Sequence, residues 1–312
     1  MRHIANLKDL SADELHEILD KAAEIKASPA DFRGLLAGQS LAMIFQKTST
    51  RTRVSFEVGM TELGGHAIYL DWVKSNFVLA GIELETEYLS RNVSCIMARM
   101  RYHEDLLKII KGSQVPVING CCEKYHPCQA LTDVLTISEN TEGNLTDVRL
   151  AYVGVQNNVS NSLTILCDKL GINLTLATPE ADDNGEARDA DVDQIIKSSK
   201  HVEHTTDPRA AVADADFVYT DTWIDMQYFN DPDHKDENDA RLKRMMPYQL
   251  NQDLIGDRDV KIMHDMPIHE GFEIEVDMVR DPRSIIFDQA ANRAHAQKGL
   301  LWWLYQEAGN LG

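Results

Sequence analysis

The segment 49–53 reads Ser-Thr-Arg-Thr-Arg, and its side chains are suited to binding an anion. An apolar run at 41–45 precedes it and apolar residues at helical spacing follow it, so it lies at a predicted strand-to-helix turn. The first amides of a helix have no intrahelical partner and the helix dipole favours negative charge there, which predicts a phosphate site. Arg51 and Arg53 could add planar, charge-assisted donors. The alternative is a solvated helix start, because Ser and Thr are ordinary caps.

Polar residues at the ends of two other predicted elements have types suited to the same chemistry. Arg99 follows the buried run 95–98, and doubly wound folds place their ligands at one edge of a parallel sheet, beyond the strand ends. A capped surface arginine is an equal alternative. His126 and Gln129 lie at the start of a helix whose first turn suits Pro127, where a histidine is either structural or a ligand contact.

These residues must be positioned by strands and helices that alternate along the chain, with a break at 140–144. The fold class predicted is α/β. Two successive strand-helix series indicate two doubly wound parallel-sheet domains with the active site in the cleft between them. A capping box at Ser11 to Glu14 predicts the first helix, and Gly171 is expected to end the helix 158–170.

The predicted strands are 41–45, 67–70, 95–98, 115–119, 149–155, 172–177, 201–204, 217–220, 260–263 and 284–287. Other predicted helices include 53–63, 85–92, 103–110, 127–137, 192–198 and a long one that follows Gln289. Residues 180–194 are expected to form an exposed loop, and 230–240 are expected to be exposed because they are strongly charged.

Composition excludes several classes of function. The net charge of −19 argues against a nucleic-acid partner. No apolar run approaches a membrane span and the N-terminus lacks a signal-peptide core, so we expect a soluble cytoplasmic protein with no membrane partner. The five cysteines form neither a paired zinc motif nor a disulfide framework, which predicts reduced thiols and no metal. No glycine-rich nucleotide motif follows a strand.

Several motifs together resemble the aspartate/ornithine carbamoyltransferase family, most closely its ornithine branch. They are Ser49-Thr-Arg-Thr-Arg53 with Phe56-Glu57, Leu63-Gly-Gly-His66, Val115-Pro-Val-Ile-Asn-Gly120, His126-Pro-Cys-Gln-Ala-Leu131, Asn157-Asn158 with Asn161-Ser162, Asp221, and Phe287-Asp-Gln289 with Asn292-Arg293 and His295-Ala-Gln297. The match spans most of the chain, and the pairing of S-T-R-T-R with H-P-x-Q is specific.

The resemblance implies an N-terminal carbamoyl phosphate-binding domain at 1–140, completed by a C-terminal helix at about 289–312, and an amine-substrate domain at 145–288. It further implies a homotrimer, or a multiple of trimers, that shares active sites between subunits. The residues implied to bind carbamoyl phosphate are Ser49, Thr50, Arg51, Thr52, Arg99, His126, Gln129 and Arg293.

The chemistry implied is carbamoyl transfer to an amine, with ornithine as the expected acceptor and citrulline and phosphate as products. A neutral amine attacks the carbamoyl carbon, a tetrahedral oxyanion develops, and phosphate departs. Arg99, His126 and the Thr52 hydroxyl are the expected catalytic groups, because they can stabilise the oxyanion and the leaving dianion. This reaction needs small-molecule substrates alone, with no metal or organic cofactor. No residue of the sequence is identified as the base.

The chain departs from the family pattern in the residues expected to bind the acceptor. The family's Asp-x-x-x-Ser-Met-Gly appears as Asp221-Thr-Trp-Ile-Asp225-Met226-Gln227, and its His-Cys-Leu-Pro appears as His264-Asp265-Met266-Pro267. The usual polar loop with a lysine is absent from 76–87. The candidate acceptor-binding residues are Asn158, Asp221, Asp225, Met226, Asp265 and Met266.

These carboxylates bear on the identity of the acceptor. Asp225 beside an α-carboxylate would cost on the order of 1 to 4 kcal/mol, and beside an ammonium it would contribute a similar amount. The acceptor is therefore either a more cationic amine than ornithine or ornithine in a shifted pose, unless Asp225 points away and pairs with a cation such as Lys235. Aspartate is disfavoured as the acceptor. The alternatives are carbamoylation of a diamine or another amino acid, and a non-catalytic carbamoyl phosphate-binding or assembly protein.

Overall fold

The computed structural model describes residues 1–179, 187–225, 228–229 and 231–311. The chain forms two compact units. Unit 1 comprises Met1–Thr136, Asn161–Leu163 and Ala291–Gly312, and unit 2 comprises Ile137–Ser160 and Thr164–Ala290. No helix among the described residues has the length and apolar character needed to cross a bilayer.

The strands are β1 Ser40–Phe45, β2 His66–Asp71, β3 Cys95–Arg99, β4 Val117–Cys121, β5 Arg149–Val153, β6 Asn173–Ala177, β7 Val202–Thr205, β8 Phe217–Thr220 and β9 Lys261–His264. The helices are α1 Ala12–Ala27, α2 Thr50–Glu62, α3 Ile82–Ser90, α4 His103–Gly112, α5 Pro127–Glu139, α6 Asn158–Leu170, α7 Ala190–Ser198, α8 Pro208–Ala211, α9 Lys235–Met245, α10 Gln252–Ile255, α11 Val276–Val279 and α12 Ile286–Glu307. Short 3-10 turns lie at Pro29–Phe32, Trp72–Lys74, Asn76–Val78, Leu145–Asp147, Pro232–His234 and Met246–Tyr248.

The sheet of unit 1 is parallel, with the strand order β2-β1-β3-β4. The chain leaves β1 toward β2 on one side and returns to β3 on the other, so the strand order reverses between β1 and β3. Phe45 and Arg99 are register partners at the carboxyl ends of these strands, and α2 begins shortly after Phe45. In a doubly wound sheet such a reversal opens a crevice where ligands bind. The S-T-R-T-R segment and Arg99 therefore lie at the same edge.

Unit 2 repeats this arrangement, with the strand order β7-β6-β5-β8-β9 in a second parallel sheet. Its order reverses between β5 and β8. Thr220 of β8 and His264 of β9 are register partners, so Asp221 and Asp265, the residues that follow them, leave the same edge side by side. Side chains of these strands, among them Val153, Val218 and Ile262, are buried in the hydrophobic core of unit 2.

Helix α12 approaches α1 so closely that position 299 has room only for glycine. A Cβ atom at Gly299 would lie 2.4 Å from the carbonyl oxygen of Ile18 and 2.8 Å from the Cβ of Ala22. Such contacts are far inside van der Waals distance, so a larger residue would push the two helices apart. The close packing matters because α12 also carries Arg293.

The predicted pair of doubly wound parallel-sheet α/β domains is confirmed. The capping box at Ser11 and the left-handed Gly171 at the end of α6 are also present, as the sequence indicates. The position of the active site in a cleft between the domains stays a prediction.

Three local predictions differ from the structure. The predicted strand 284–287 is wrong, because Ser284 makes only an isolated bridge to Ile262 and α12 already begins at Ile286. Strand β4 runs two residues later than the predicted 115–119, since Pro116 has no N–H for the ladder. Helix α3 begins at Ile82, three residues before the predicted start.

The charged segment after residue 230 contains a helix that the sequence does not predict, because too few apolar residues recur at helical spacing. Helix α9 spans Lys235–Met245, and of its residues only Met245 is buried. The predicted loop 180–194 is described only from Ala187, and α7 begins within it at Ala190.

Candidate active site

The start of α2 combines a helix cap with one buried hydroxyl. Ser49 is the N-cap, and its hydroxyl oxygen accepts a hydrogen bond of 3.2 Å from the amide of Thr52. Ser49 therefore caps the helix, as the alternative interpretation of this segment predicts. Thr50 is exposed, whereas Thr52 is buried with its side chain directed into unit 1.

Arg53 does not join this cluster. Its side chain is exposed, its Nε donates to the Glu57 carboxylate at 2.9 Å, and its guanidinium lies 4.0 Å from the ring centroid of Tyr69. This ion pair between residues four apart on the helix surface is a local contact. Arg51 is instead half-buried and close enough to His126 to influence its titration.

Two arginines converge on the hydroxyl of Thr52. Nη1 of Arg99, at the end of β3, donates to Thr52 Oγ1 at 3.3 Å, and Nη2 of Arg293, on α12, donates to the same oxygen at 3.2 Å. Arg293 is 5 % exposed, so its charge has little contact with solvent. The structure therefore brings together three elements that are remote in sequence around one hydroxyl group.

Arg293 also contacts both polar residues at the start of α5. Its Nη1 donates to the side-chain carbonyl of Gln129, and its Nη2 lies 3.0 Å from Nε2 of His126. The amide of Gln129 in turn donates to the carboxylate of Asp133, one helical turn further on, at 2.7 Å. Asp133 thus orients the Gln129 amide so that its oxygen faces Arg293.

The tautomer of His126 follows from its contact with Arg293. A guanidinium can only donate, so Nε2 of His126 is the acceptor and its ring proton lies on Nδ1. Nδ1 is buried, and no hydrogen-bond partner for it is found in the described parts of the chain. Burial and the charges of Arg293, Arg99 and Arg51 lower the pKa of His126 well below its usual value. The ring is therefore a neutral hydrogen-bond donor.

This cluster is suited to an anion that also carries a carbonyl group. The guanidinium groups of Arg51, Arg99 and Arg293 concentrate positive charge in an acidic chain, and a bound phosphate would offset the cost of burying it. The neutral Nδ1–H of His126 can donate to a carbonyl oxygen or a developing oxyanion.

A second polar group lies in unit 2, at the carboxyl ends of β8 and β9. Asp221 accepts hydrogen bonds of 2.6 Å from the side-chain amide of Asn157 and from the backbone amide of Thr222. Oδ1 of Asp265 lies 3.7 Å from Nδ1 of His264. Potential ligand atoms of Asp221, His264 and Asp265 all lie within 4.8 Å of one another.

These three residues could hold a cation, but they do not contribute equally. The backbone amide of Met266 donates to Nδ1 of His264 at 2.8 Å, so ligation of a metal through this nitrogen would break an existing hydrogen bond. Each carboxylate oxygen of Asp221 and Asp265 can accept more than one hydrogen bond, so this pair can also receive a positive group. A protonated amine fits this pair, because it satisfies carboxylate oxygens through hydrogen bonds.

The other predicted acceptor residues occupy varied positions. Asn158 is the first residue of α6 and is half-buried. Asp225 is exposed, and Lys235, its suggested partner, pairs with Asp239 at 3.3 Å. Met266 has a positive φ of 63° and packs against the core of unit 2. Met226 lies outside the described residues.

Three residues orient the predicted groups although the sequence assigns no such role to them. Asp133 holds Gln129, Asn157 holds Asp221, and Glu273 accepts from Nε2 of His264 at 3.1 Å. Asp133 could have been found from its spacing of four residues from Gln129 on one helix. Asn157 was detectable as a helix cap, whereas nothing in the local sequence indicates Glu273.

The lowered pKa of His126 predicts a pH dependence of folding. The unfolded chain binds a proton at this histidine near pH 6.5 while the folded chain does not, so the associated stability is present above pH 6.5 and lost below it. From pH 7 to 5.5 the wild-type chain should lose about 1 kcal/mol more unfolding free energy than His126→Asn, measured by urea denaturation without ligand. The exposed His16→Asn is the control. An equal loss in wild type and His126→Asn would contradict this account.

Comparison with known proteins places both units in one family. Residues 2–139 match the carbamoyl-P binding domain of aspartate/ornithine carbamoyltransferases, and residues 146–304 match the Asp/Orn binding domain. An ornithine carbamoyltransferase of Archaeoglobus fulgidus is 41% identical over 308 residues, with 96% of each chain covered. One of Haloquadratum walsbyi is 40% identical over 306 residues, with 97% of each covered.

Solved structures agree with these matches. The ornithine carbamoyltransferase of Pyrococcus furiosus superposes with a TM-score of 0.86 at 41% identity, covering 96% of each chain. The enzyme of Thermus thermophilus gives a TM-score of 0.84 at 32% identity, with 97% of this chain and 98% of that chain covered. This chain belongs to the aspartate/ornithine carbamoyltransferase family.

Proposed function

We propose that this protein transfers the carbamoyl group of carbamoyl phosphate to ornithine, giving citrulline and phosphate. The observation that carries the proposal is the convergence of Arg99, Arg293 and neutral His126 around Thr52. A binding or assembly protein would not need a neutral histidine donor beside a phosphate-type site. The relatives named above are ornithine carbamoyltransferases, which supports ornithine as the acceptor.

The roles proposed for the first substrate follow from charge and geometry. Ser49, Thr50, Arg51 and Thr52 at the start of α2 would bind the phosphate together with Arg99 and Arg293. His126 Nδ1–H would donate to the carbamoyl oxygen, with Gln129 held beside it by Asp133. These residues lie in 1–140 and in the C-terminal helix, so we assign carbamoyl phosphate binding to this part of the chain.

The proposed reaction needs no metal or organic cofactor. The neutral amine of ornithine forms a bond to the carbamoyl carbon, and the negative charge that develops on the carbonyl oxygen is stabilised by His126 and Arg99. The bond from carbon to the phosphate oxygen then breaks, and the leaving dianion stays with the guanidinium groups. The amine proton is lost to phosphate or solvent.

For the acceptor we assign residues 145–288, with Asn158, Asp221, Asp225, Met226, Asp265 and Met266 as binding residues. The paired carboxylates of Asp221 and Asp265 would bind a positively charged group of ornithine. Asp225 is exposed, so solvent screens its charge and it should matter less than Asp265. This arrangement accounts for the carboxylate of Asp265 where the family pattern has Cys.

We also propose that the protein acts as a homotrimer, or a multiple of trimers. Large apolar side chains are exposed along one stretch of unit 1, where Val73 is 73%, Leu79 82%, Leu84 70% and Tyr88 69% exposed. Large apolar side chains that are this exposed and this close in sequence are typical of protein interfaces. A second copy of the chain is the occupant that the family resemblance implies.

The cytoplasm is the compartment that we propose. All five cysteines are buried, and their number and spacing do not form a disulfide framework, which is typical of proteins in reducing compartments.

The proposed reaction is tested with carbamoyl phosphate and a panel of ornithine, lysine, putrescine, agmatine, diaminopropionate and aspartate. We expect equal formation of phosphate and ureido product, fastest with ornithine. Arg293→Lys should lower kcat/KM for carbamoyl phosphate by about a hundredfold, because an ammonium cannot reproduce the forked contacts to Thr52 and Gln129. Arg53→Lys is the matched control and should change it less than about twofold. Binding of carbamoyl phosphate without turnover of any amine would contradict the proposed function.

The role of the acceptor carboxylates is tested in the same assay. Asp265→Asn should raise KM for ornithine by about tenfold, because one of the two negative charges that face the ammonium is removed. Asp225→Ser should have a smaller effect, since this carboxylate is exposed. A KM unchanged in Asp265→Asn, or raised more by Asp225→Ser, would show that the charge argument is wrong.

The trimer is tested by light scattering of the purified protein. Leu79→Asp combined with Leu84→Asp should reduce the mass from that of a trimer to that of a single chain, because the apolar surface becomes charged. Val276→Asp alters an exposed apolar residue of unit 2 and should leave the mass unchanged. A trimeric mass for the double variant would exclude this surface as the interface.

A further inference from the structure

We propose that Glu273 is a positioning residue for acceptor binding. Its buried carboxylate holds both ends of the loop 264–269, which carries Asp265, and thereby sets the affinity for the amine. The inference rests on the proposed function, since it assigns Asp265 to the acceptor.

Glu273 receives hydrogen bonds from both ends of this loop on a single oxygen. Nε2 of His264 lies 3.1 Å from Glu273 Oε1, and the backbone amide of His269 donates to the same oxygen at 2.6 Å. The side chains of His264 and Glu273 are fully buried. A hydrogen bond between buried groups is expensive to lose, because neither group can turn to water instead.

The backbone of Glu273 is itself fixed to the body of unit 2. The amide of Leu250 donates to the carbonyl of Glu273 at 2.9 Å, and the amide of Glu275 donates to the carbonyl of Leu250 at 3.0 Å. Leu250 is fully buried in the core. The carboxylate of Glu273 is thus held on a rigid support, and the loop is fastened to it.

His264 transmits this attachment to the residues beside Asp265. The amide of Met266 donates to Nδ1 of His264 at 2.8 Å, so the ring proton lies on Nε2, directed at Glu273. The backbone amide of His264 donates to Oε1 of Gln289 at 2.9 Å, which anchors the end of β9. Asp265 lies between these two fixed points and next to Asp221.

Loss of the Glu273 carboxylate would disturb the loop in a defined direction. Nε2–H of His264 would be left in the core without its acceptor, and the alternative tautomer would point a proton at the amide of Met266. Either outcome pushes the chain after His264 away from its present path, and Asp265 moves with it. Because binding of an ammonium between two carboxylates depends on their separation, a small shift of Asp265 weakens it.

The contacts suggest that the oxygen of Glu273 matters more than its charge. Both donors use Oε1, and for Oε2 no partner is found within the described residues. A glutamine can present the same acceptor oxygen to His264 and His269, whereas a leucine of similar volume cannot. This difference separates positioning by hydrogen bonds from a simple packing role.

The experiment measures KM for ornithine and for carbamoyl phosphate in Glu273→Leu, Glu273→Gln and the wild-type protein. Glu273→Leu should raise KM for ornithine at least tenfold while KM for carbamoyl phosphate changes less than twofold. Glu273→Gln should recover KM for ornithine to within threefold of wild type. Glu270→Leu, at an exposed position of the same segment, should leave both values within twofold.

Should Glu273→Leu fail to fold, His264→Asn decides the question. Asparagine keeps an acceptor for the Met266 amide but loses the contact with Glu273, so it should show the same selective rise in KM for ornithine. Equal rises in the two KM values, or a Glu273→Gln variant as impaired as Glu273→Leu, would overturn the inference. If wild-type protein fails to carbamoylate ornithine, the proposed function fails instead, so the two failures are distinguishable.

Discussion

The structure of the phosphate-type site depends on the burial of Arg293. A guanidinium that is 5 % exposed requires acceptors on several sides. Thr52 of α2, Gln129 of α5 and His126, which precedes α5, supply them. The same contact fixes the tautomer of His126 and suppresses its protonation. One buried cation therefore determines which groups are left to meet a substrate, and the tight approach of α12 to α1 at Gly299 holds it there.

The parallel sheets explain why two sets of residues that are remote in sequence come together. In each sheet the strand order reverses once, between β1 and β3 in unit 1 and between β5 and β8 in unit 2. Residues that follow neighbouring parallel strands leave the sheet at one edge, side by side, as Asp221 and Asp265 do after β8 and β9. The strands fix where each segment begins, and the short segments after them carry the charged and polar side chains.

The sequence predicts the elements better than the contacts between them. Apolar runs and caps report local burial and backbone conformation, so β1, α2 and the end of α6 were identified close to their true bounds. Arg293 and Thr52 are 241 positions apart, and their contact depends on the packing of whole helices. The contact of Glu273 with His264 could not be predicted for a similar reason. The two residues lie in different segments, and no helical or strand spacing relates them. The segment 284–287 was wrongly predicted as a strand, because an apolar run of four residues does not distinguish a strand from the start of a helix.

The two proposed sites have opposite local charge, and this difference favours the anionic substrate at one and a cationic group at the other. Carbamoyl phosphate is an anion, and the proposed phosphate site of unit 1 has the guanidinium groups of Arg51, Arg99 and Arg293. Ornithine carries ammonium groups, and the proposed acceptor site of unit 2 has the carboxylates of Asp221 and Asp265. A net charge of −19 repels an anionic substrate at long range, so the guanidinium cluster must act over short distances where salt does not screen it. Where the family pattern has a neutral thiol, Asp265 adds a second negative charge beside Asp221, and this pair disfavours an anion at the proposed acceptor site.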